Sequence, residues 1–60
     1  MIEPKQSDIG RTVIFRYATN RVETGVITRL NEKYVFVRLG KEVRSTVATR
    51  DELEWYAQSN

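Results

Sequence analysis

The chain has 60 residues, of which ten are Lys or Arg and eight are Asp or Glu, giving a net charge of +2. It contains neither cysteine nor histidine, which excludes disulfide bonds, thiolate or imidazole zinc sites, cysteine nucleophiles and His-assisted serine triads. A chain of this length forms one domain that buries roughly 60% of its unfolded surface, so it depends on a well-packed core or on a second subunit.

The first eight residues are mostly polar, and Pro4 interrupts regular strand pairing, so we expect a flexible N-terminal tail over residues 1–8. The stretch "SDIG" (7–10) predicts a turn, because Ser and Asp side chains bond the local backbone and Gly10 tolerates positive φ. Ile9 is then the first side chain that we expect in the core. Nowhere is there an apolar run long enough for a membrane span or a signal peptide, which favours a cytoplasmic protein.

Four strands are predicted from runs of β-branched and aromatic residues. They cover residues 11–17, 22–30, 34–39 and 43–47. Gly25 lies inside the second strand and predicts a bulge or a sharp bend there. Asn31 begins a tight turn between the second and third strands.

The final segment changes character at "TRDE" (49–52), which is typical of a capping box that links Thr49 and Glu52. Leu53 and Trp55 then alternate at a strand period, so we predict one helical turn followed by the short strand "LEW"; a helix continuing to Asn60 is the alternative. The predicted fold class is therefore all-β. We expect a small five-stranded barrel over residues 9–56, one short helical turn before the last strand, and a C-terminal tail at 57–60.

The central hairpin is predicted to have two different faces. If Val26, Val35 and Val37 point into the barrel, alternation directs the intervening side chains outward. With cations from flanking segments, the candidate interaction face consists of Arg16, Ile27, Arg29, Tyr34, Phe36, Arg38 and Arg44.

Aromatic rings interleaved with arginines are typical of nucleic-acid-binding sheets, where rings stack on bases and cations contact the backbone. Two other interpretations remain open at this point. Tyr34 or Phe36 is covered by the N-terminal tail or by Trp55 and Tyr56, or the face is a homodimer interface. Trp55 itself is expected in the core or at its rim.

Three stretches carry a resemblance to a known architecture: "DIGRTVIF", "GVITRLNEKYVFVRLG" and "ATRDELEW", which together span most of residues 8–55. They resemble SH3-like barrels, and more narrowly the small phage and prophage proteins of that architecture. The pattern "VETGVIT…YVFVRL" is similar to its Tudor-like and KOW-type branches. The chain departs from Tudor domains because it has no aromatic cage, and from peptide-binding SH3 domains because it lacks their acidic loop and paired-tyrosine groove. The resemblance implies the fold more strongly than the function.

No enzyme is expected, because the neighbouring carboxylates Asp51, Glu52 and Glu54 are explained by a solvated, capped turn. Neither a cofactor nor a metal is predicted. The first functional hypothesis is a phage or prophage accessory protein that binds an unknown host or phage protein through its sheet face, in the bacterial host cytoplasm. The alternative is a weak nucleic-acid-binding module that uses the sheet arginines and aromatics. A membrane partner is not expected.

Overall fold

A computed structural model describes residues 1–57, which form a single five-stranded antiparallel sheet. The strands are β1 (Thr12–Ala18), β2 (Arg21–Leu30), β3 (Val35–Leu39), β4 (Thr46–Ala48) and β5 (Leu53–Trp55). Single 3-10 turns, Gln6–Asp8 and Arg50–Glu52, precede β1 and β5. The strand order is β4-β3-β2-β1-β5, so a four-stranded meander is followed by a last strand that returns beside the first. This confirms the predicted all-β class with a helical turn immediately before the last strand, whereas residues 58–60 of the predicted tail lie outside the described residues.

One face of the sheet carries the whole hydrophobic core. The buried side chains are Ile2, Val13, Phe15, Ile27, Val35, Val37, Leu39, Ala48 and Leu53. Ala48 and Leu53 lie on the two edge strands and still belong to the same cluster. A single sheet can bring its two edges to one core only by curving, so the inner face wraps around these side chains.

Gly25 lies where β3 approaches β2 closely. It pairs with Val13 of β1 and with Leu39 of β3. A Cβ atom at Gly25 would lie 2.5 Å from Val37 Cγ1 and 2.8 Å from the Arg38 carbonyl oxygen. The glycine is therefore required by the close approach of β3. The bulge expected at Gly25 lies instead at Thr28, where the pairing shifts from Ile27↔Val37 to Arg29↔Phe36.

The N-terminal segment is anchored to the sheet, which corrects the prediction of a flexible tail. Ile2 is only 6% exposed, and its N–H donates to the Arg50 carbonyl at 3.2 Å. Pro4 is buried as well. Ile9, expected to be the first core side chain, is 41% exposed. A mostly polar segment is thus attached by the burial of Ile2 and Pro4 and by a backbone hydrogen bond to Arg50.

Two predicted turns form with the expected chemistry, while the fourth strand starts later than predicted. Asn31 Oδ1 accepts from the N–H groups of Lys33 and Tyr34, each at 2.8 Å. The Glu52 carboxylate accepts from the Thr49 N–H at 2.9 Å. Residues 43–45, predicted to belong to the fourth strand, lie in the β3–β4 connection.

Among residues 1–57, neither helical turn approaches the length and apolarity of a membrane-spanning helix.

Candidate interaction face

The register of β2 corrects one member of the predicted face. Ile27 pairs with Val37 and is fully buried, so the prediction that Ile27 points outward is wrong. Val26, predicted to point inward, lies on the outer face opposite Thr12. Gly25 pairs with the buried Val13, so alternation from Gly25 directs Val26 outward and Ile27 inward. Val35 and Val37 point inward as predicted.

The bulge at Thr28 explains why Ile27 and Arg29, two residues apart, lie on opposite faces. Thr28 is the extra residue between the pairs Ile27↔Val37 and Arg29↔Phe36. Its hydroxyl donates to the Phe36 carbonyl at 3.2 Å and forms a second hydrogen bond, 2.6 Å long, with the Ser45 hydroxyl. Bulges redirect side chains in this way. The bulge therefore keeps Ile27 in the core and directs Arg29 to the outer surface.

Four outer residues form a compact group that we call the outer quartet: Val26, Arg29, Phe36 and Arg38. Arg29 is opposite Phe36, and Val26 is opposite Arg38. The two arginines therefore occupy one diagonal of the quartet and the two apolar side chains the other. Arg29 lies over the Phe36 ring, with Cζ 4.4 Å from the ring centroid. Beside the quartet, Val47 of β4 pairs with Phe36 and is 51% exposed.

The arginines in and beside the quartet have no ion-pair partner among residues 1–57. The ion pairs described for residues 1–57 join Arg11 to Asp8, Arg16 to Glu54, and Arg50 to Glu3. Arg50 also donates to the backbone carbonyls of Asn31 and Glu32. In this part of the chain, Arg29, Arg38 and Arg44 take part in none of these pairs. The quartet is therefore a positively charged surface with apolar side chains between the charges.

The remaining residues of the predicted face lie outside the quartet. Tyr34 is in the β2–β3 turn, where it lines an open depression of about 440 Å³ with residues 31–33. Arg44 lies in the exposed β3–β4 connection, next to Ser45, whose hydroxyl contacts Thr28. Arg16 is on β1, paired with Val22, in the other half of the outer face. The structure thus brings together Arg29, Phe36 and Arg38 from the predicted set.

Two outer residues were missed in the sequence, Val26 and Val47. Val47 was placed in the fourth strand but not on the candidate face, and its pairing with Phe36 is what reveals it. A separate cleft of about 550 Å³ is lined by residues 10–12 and 55–57. There the Arg11 guanidinium lies 4.0 Å above the Trp55 ring. Trp55 packs partly buried against the core, at its rim as predicted.

Residues 1–57 bring no three His, Cys, Asp or Glu side chains together in a way that would hold a metal ion. Comparison with known proteins gave no matching family model, no matching curated protein and no matching solved structure. The outer face is therefore the basis on which a function can be proposed.

Proposed function

We propose that this protein is a non-catalytic interaction module that binds a protein partner through the outer quartet and Val47. The observation that carries the proposal is the quartet itself, in which Phe36 and Val26 lie between two arginines that no acidic side chain of residues 1–57 pairs with. Aromatic and arginine side chains are enriched at the centres of protein interfaces, and a sheet offers them on a rigid surface.

The resemblance of residues 8–55 to small phage and prophage barrel proteins supports a role as a phage accessory protein. The partner would then be a host or phage protein in the bacterial cytoplasm. A protein that acts without catalysis does so by occupying a surface of another molecule, and the outer quartet with Val47 is a surface suited to this.

Binding to nucleic acid is the second candidate, and the positive charge of the quartet favours it. Nucleic-acid-binding sheets, however, rely on aromatic rings whose faces are free to stack on bases. The Phe36 ring is half-buried, and Arg29 covers one of its faces. This contact supports a protein partner as the first candidate.

Val47→Asp tests the proposal, since it places a charge beside Phe36 at an exposed position of the edge strand β4. Val22→Asp is a matched control, because Val22 is also an outer-face valine and is 46% exposed, but lies in the other half of the sheet. A photo-reactive residue at position 12, which lies opposite Val26 on the outer face and outside the quartet, would crosslink the partner from nuclease-treated bacterial lysate. We expect Val47→Asp to abolish the crosslinked protein and Val22→Asp to retain it, with both variants melting cooperatively. Equal crosslinking by both variants, or crosslinks to nucleic acid alone in untreated lysate, would contradict the proposal.

A further inference from the structure

The spacing of Arg29 and Arg38 suggests which chemistry the partner presents. These two residues are diagonal neighbours on adjacent antiparallel strands, which places their Cβ atoms about 7–8 Å apart. In an extended chain, residues i and i+2 point to the same side and are about 6.6–6.8 Å apart. Two acidic side chains at alternate positions of an extended segment therefore match the two arginines one to one.

The Arg29 side chain is preorganised to bind such a carboxylate. Its guanidinium lies on the Phe36 ring at 4.4 Å, and this contact restricts the side chain while leaving its N–H groups directed sideways. The arginine side chains that donate hydrogen bonds within residues 1–57 are Arg11, Arg16 and Arg50. The N–H groups of Arg29 and Arg38 are therefore open to the planar, two-oxygen acceptor that a guanidinium binds best.

We propose that the partner contributes an extended acidic segment with carboxylates at positions i and i+2, bound across the Arg29–Arg38 diagonal. The proposal rests on the proposed function and deepens it. The methylene groups of the acidic side chains contact Phe36 and Val26, which flank the diagonal. A phosphate-rich strand also carries regularly spaced charges, but it gains most from stacking on open rings, and Arg29 already covers one face of the Phe36 ring.

The test uses the full 60-residue protein and two labelled octapeptides with the same composition. One alternates glutamate and valine, while the other repeats the unit Glu-Glu-Val-Val, so the two carry the same charge but only the first has glutamates at positions i and i+2. At low salt we expect the alternating peptide to bind several-fold more tightly by fluorescence anisotropy, and to shift the amide resonances of Arg29 and Arg38. Arg29→Gln together with Arg38→Gln should weaken it about tenfold. Arg16→Gln is the control and should leave binding unchanged, because Arg16 is paired with Glu54.

Equal binding of the two peptides, or full binding by the Arg29→Gln/Arg38→Gln variant, would overturn the inference. Tighter binding of an eight-nucleotide oligothymidylate than of the alternating peptide would assign the diagonal to nucleic acid instead. The two proposals fail separately. If Val47→Asp abolishes partner crosslinking while the double arginine variant retains it, the interaction function stands and the acidic segment is wrong.

Discussion

The two halves of the outer face have similar side chains but different chemistry. One half, around β1 and β5, carries Ile14 and Arg16 of β1 with Val22 of β2 opposite Arg16, and the outer quartet likewise combines arginines with apolar groups. In the first half, Arg16 Nη2 lies 3.1 Å from Glu54 Oε2, so its charge is balanced. In the quartet, Arg29 lies on a phenyl ring and Arg38 has no ion-pair partner among residues 1–57.

The difference comes from one outward side chain on each edge strand. β5 presents Glu54 beside Ile14, while β4 presents Val47 beside Phe36. The first neutralises its half, and the second extends the apolar surface of the quartet. An exposed ion pair adds little to stability, typically below about 1 kcal/mol. The main effect of Glu54 is therefore to decide which half of the face remains open to a charged partner.

The largest loss of stability is expected from substitutions that test which β2 side chains point into the core and which point to the outer face. Ile27→Ala removes a fully buried side chain and should lower the free energy of unfolding by about 2–5 kcal/mol, enough to unfold much of a domain this small. Val26→Ala, its neighbour on the outer face, should cost less than about 1 kcal/mol. Urea denaturation followed by Trp55 fluorescence measures both. Similar losses for the two variants would contradict the register on which the quartet depends.

These two residues also show what the sequence could and could not predict. The strand "YVFVRL" is regular, so strict alternation correctly placed Val35 and Val37 inside and Phe36 and Arg38 outside. Strict alternation gave the wrong faces for Val26 and Ile27 in β2, because alternation does not account for the extra residue of a bulge. Nothing in "ITRL" distinguishes Thr28 from an ordinary strand residue; at the bulge its hydroxyl bonds to Phe36 and Ser45, which lie on later segments of the chain.

Local chemistry was predicted better than long-range packing elsewhere too. The Asn31 turn, the Thr49–Glu52 turn and the strand after it depend on residues within a few positions of one another, so their signals are visible in the sequence. The burial of Ile2 depends on a partner at Arg50, and the requirement for Gly25 depends on Val37 across the sheet. Such contacts become visible only once the strands are paired.

Glu54→Val is expected to change stability less, but it tests the difference between the two halves of the outer face more directly. This variant removes the charge that balances Arg16 and gives β5 the kind of outward side chain that β4 has. We expect the free energy of unfolding to fall by less than about 1 kcal/mol, because the pair is exposed. We also expect the alternating peptide to shift the amide resonances of Arg16 in this variant but not in the parent protein. Glu54→Gln removes the charge without adding apolar surface, so it separates the two contributions. If neither variant responds around Arg16, neutralisation by Glu54 is not what distinguishes the halves.

The smallest effect is expected at Asp8, where the pairing of another arginine near β1 depends on pH. The Asp8 carboxylate accepts hydrogen bonds from the Lys5 N–H at 2.8 Å and from Arg11 Nη1 at 3.0 Å. These bonds, the Lys5 bond first, hold the pKa of Asp8 below its ordinary value of 3.8. Because the folded protein favours the ionised form, the stabilisation is complete above the ordinary pKa and is lost as the pH falls through the lowered one.

Asp8→Asn keeps an oxygen acceptor but removes the charge, so the variant should be less stable than the parent at pH 7 and equally stable at the acid end of a urea-denaturation series. Arg11→Gln removes only the second cause and should retain most of the pH dependence. A stability difference between Asp8→Asn and the parent that stays constant from neutral to acid pH would contradict this account. Protonation of Asp8 should also leave Arg11, which lies over Trp55, without its acidic partner. Acid would then make this end of β1 resemble the outer quartet, where Arg29 lies on the Phe36 ring and has no ion-pair partner among residues 1–57.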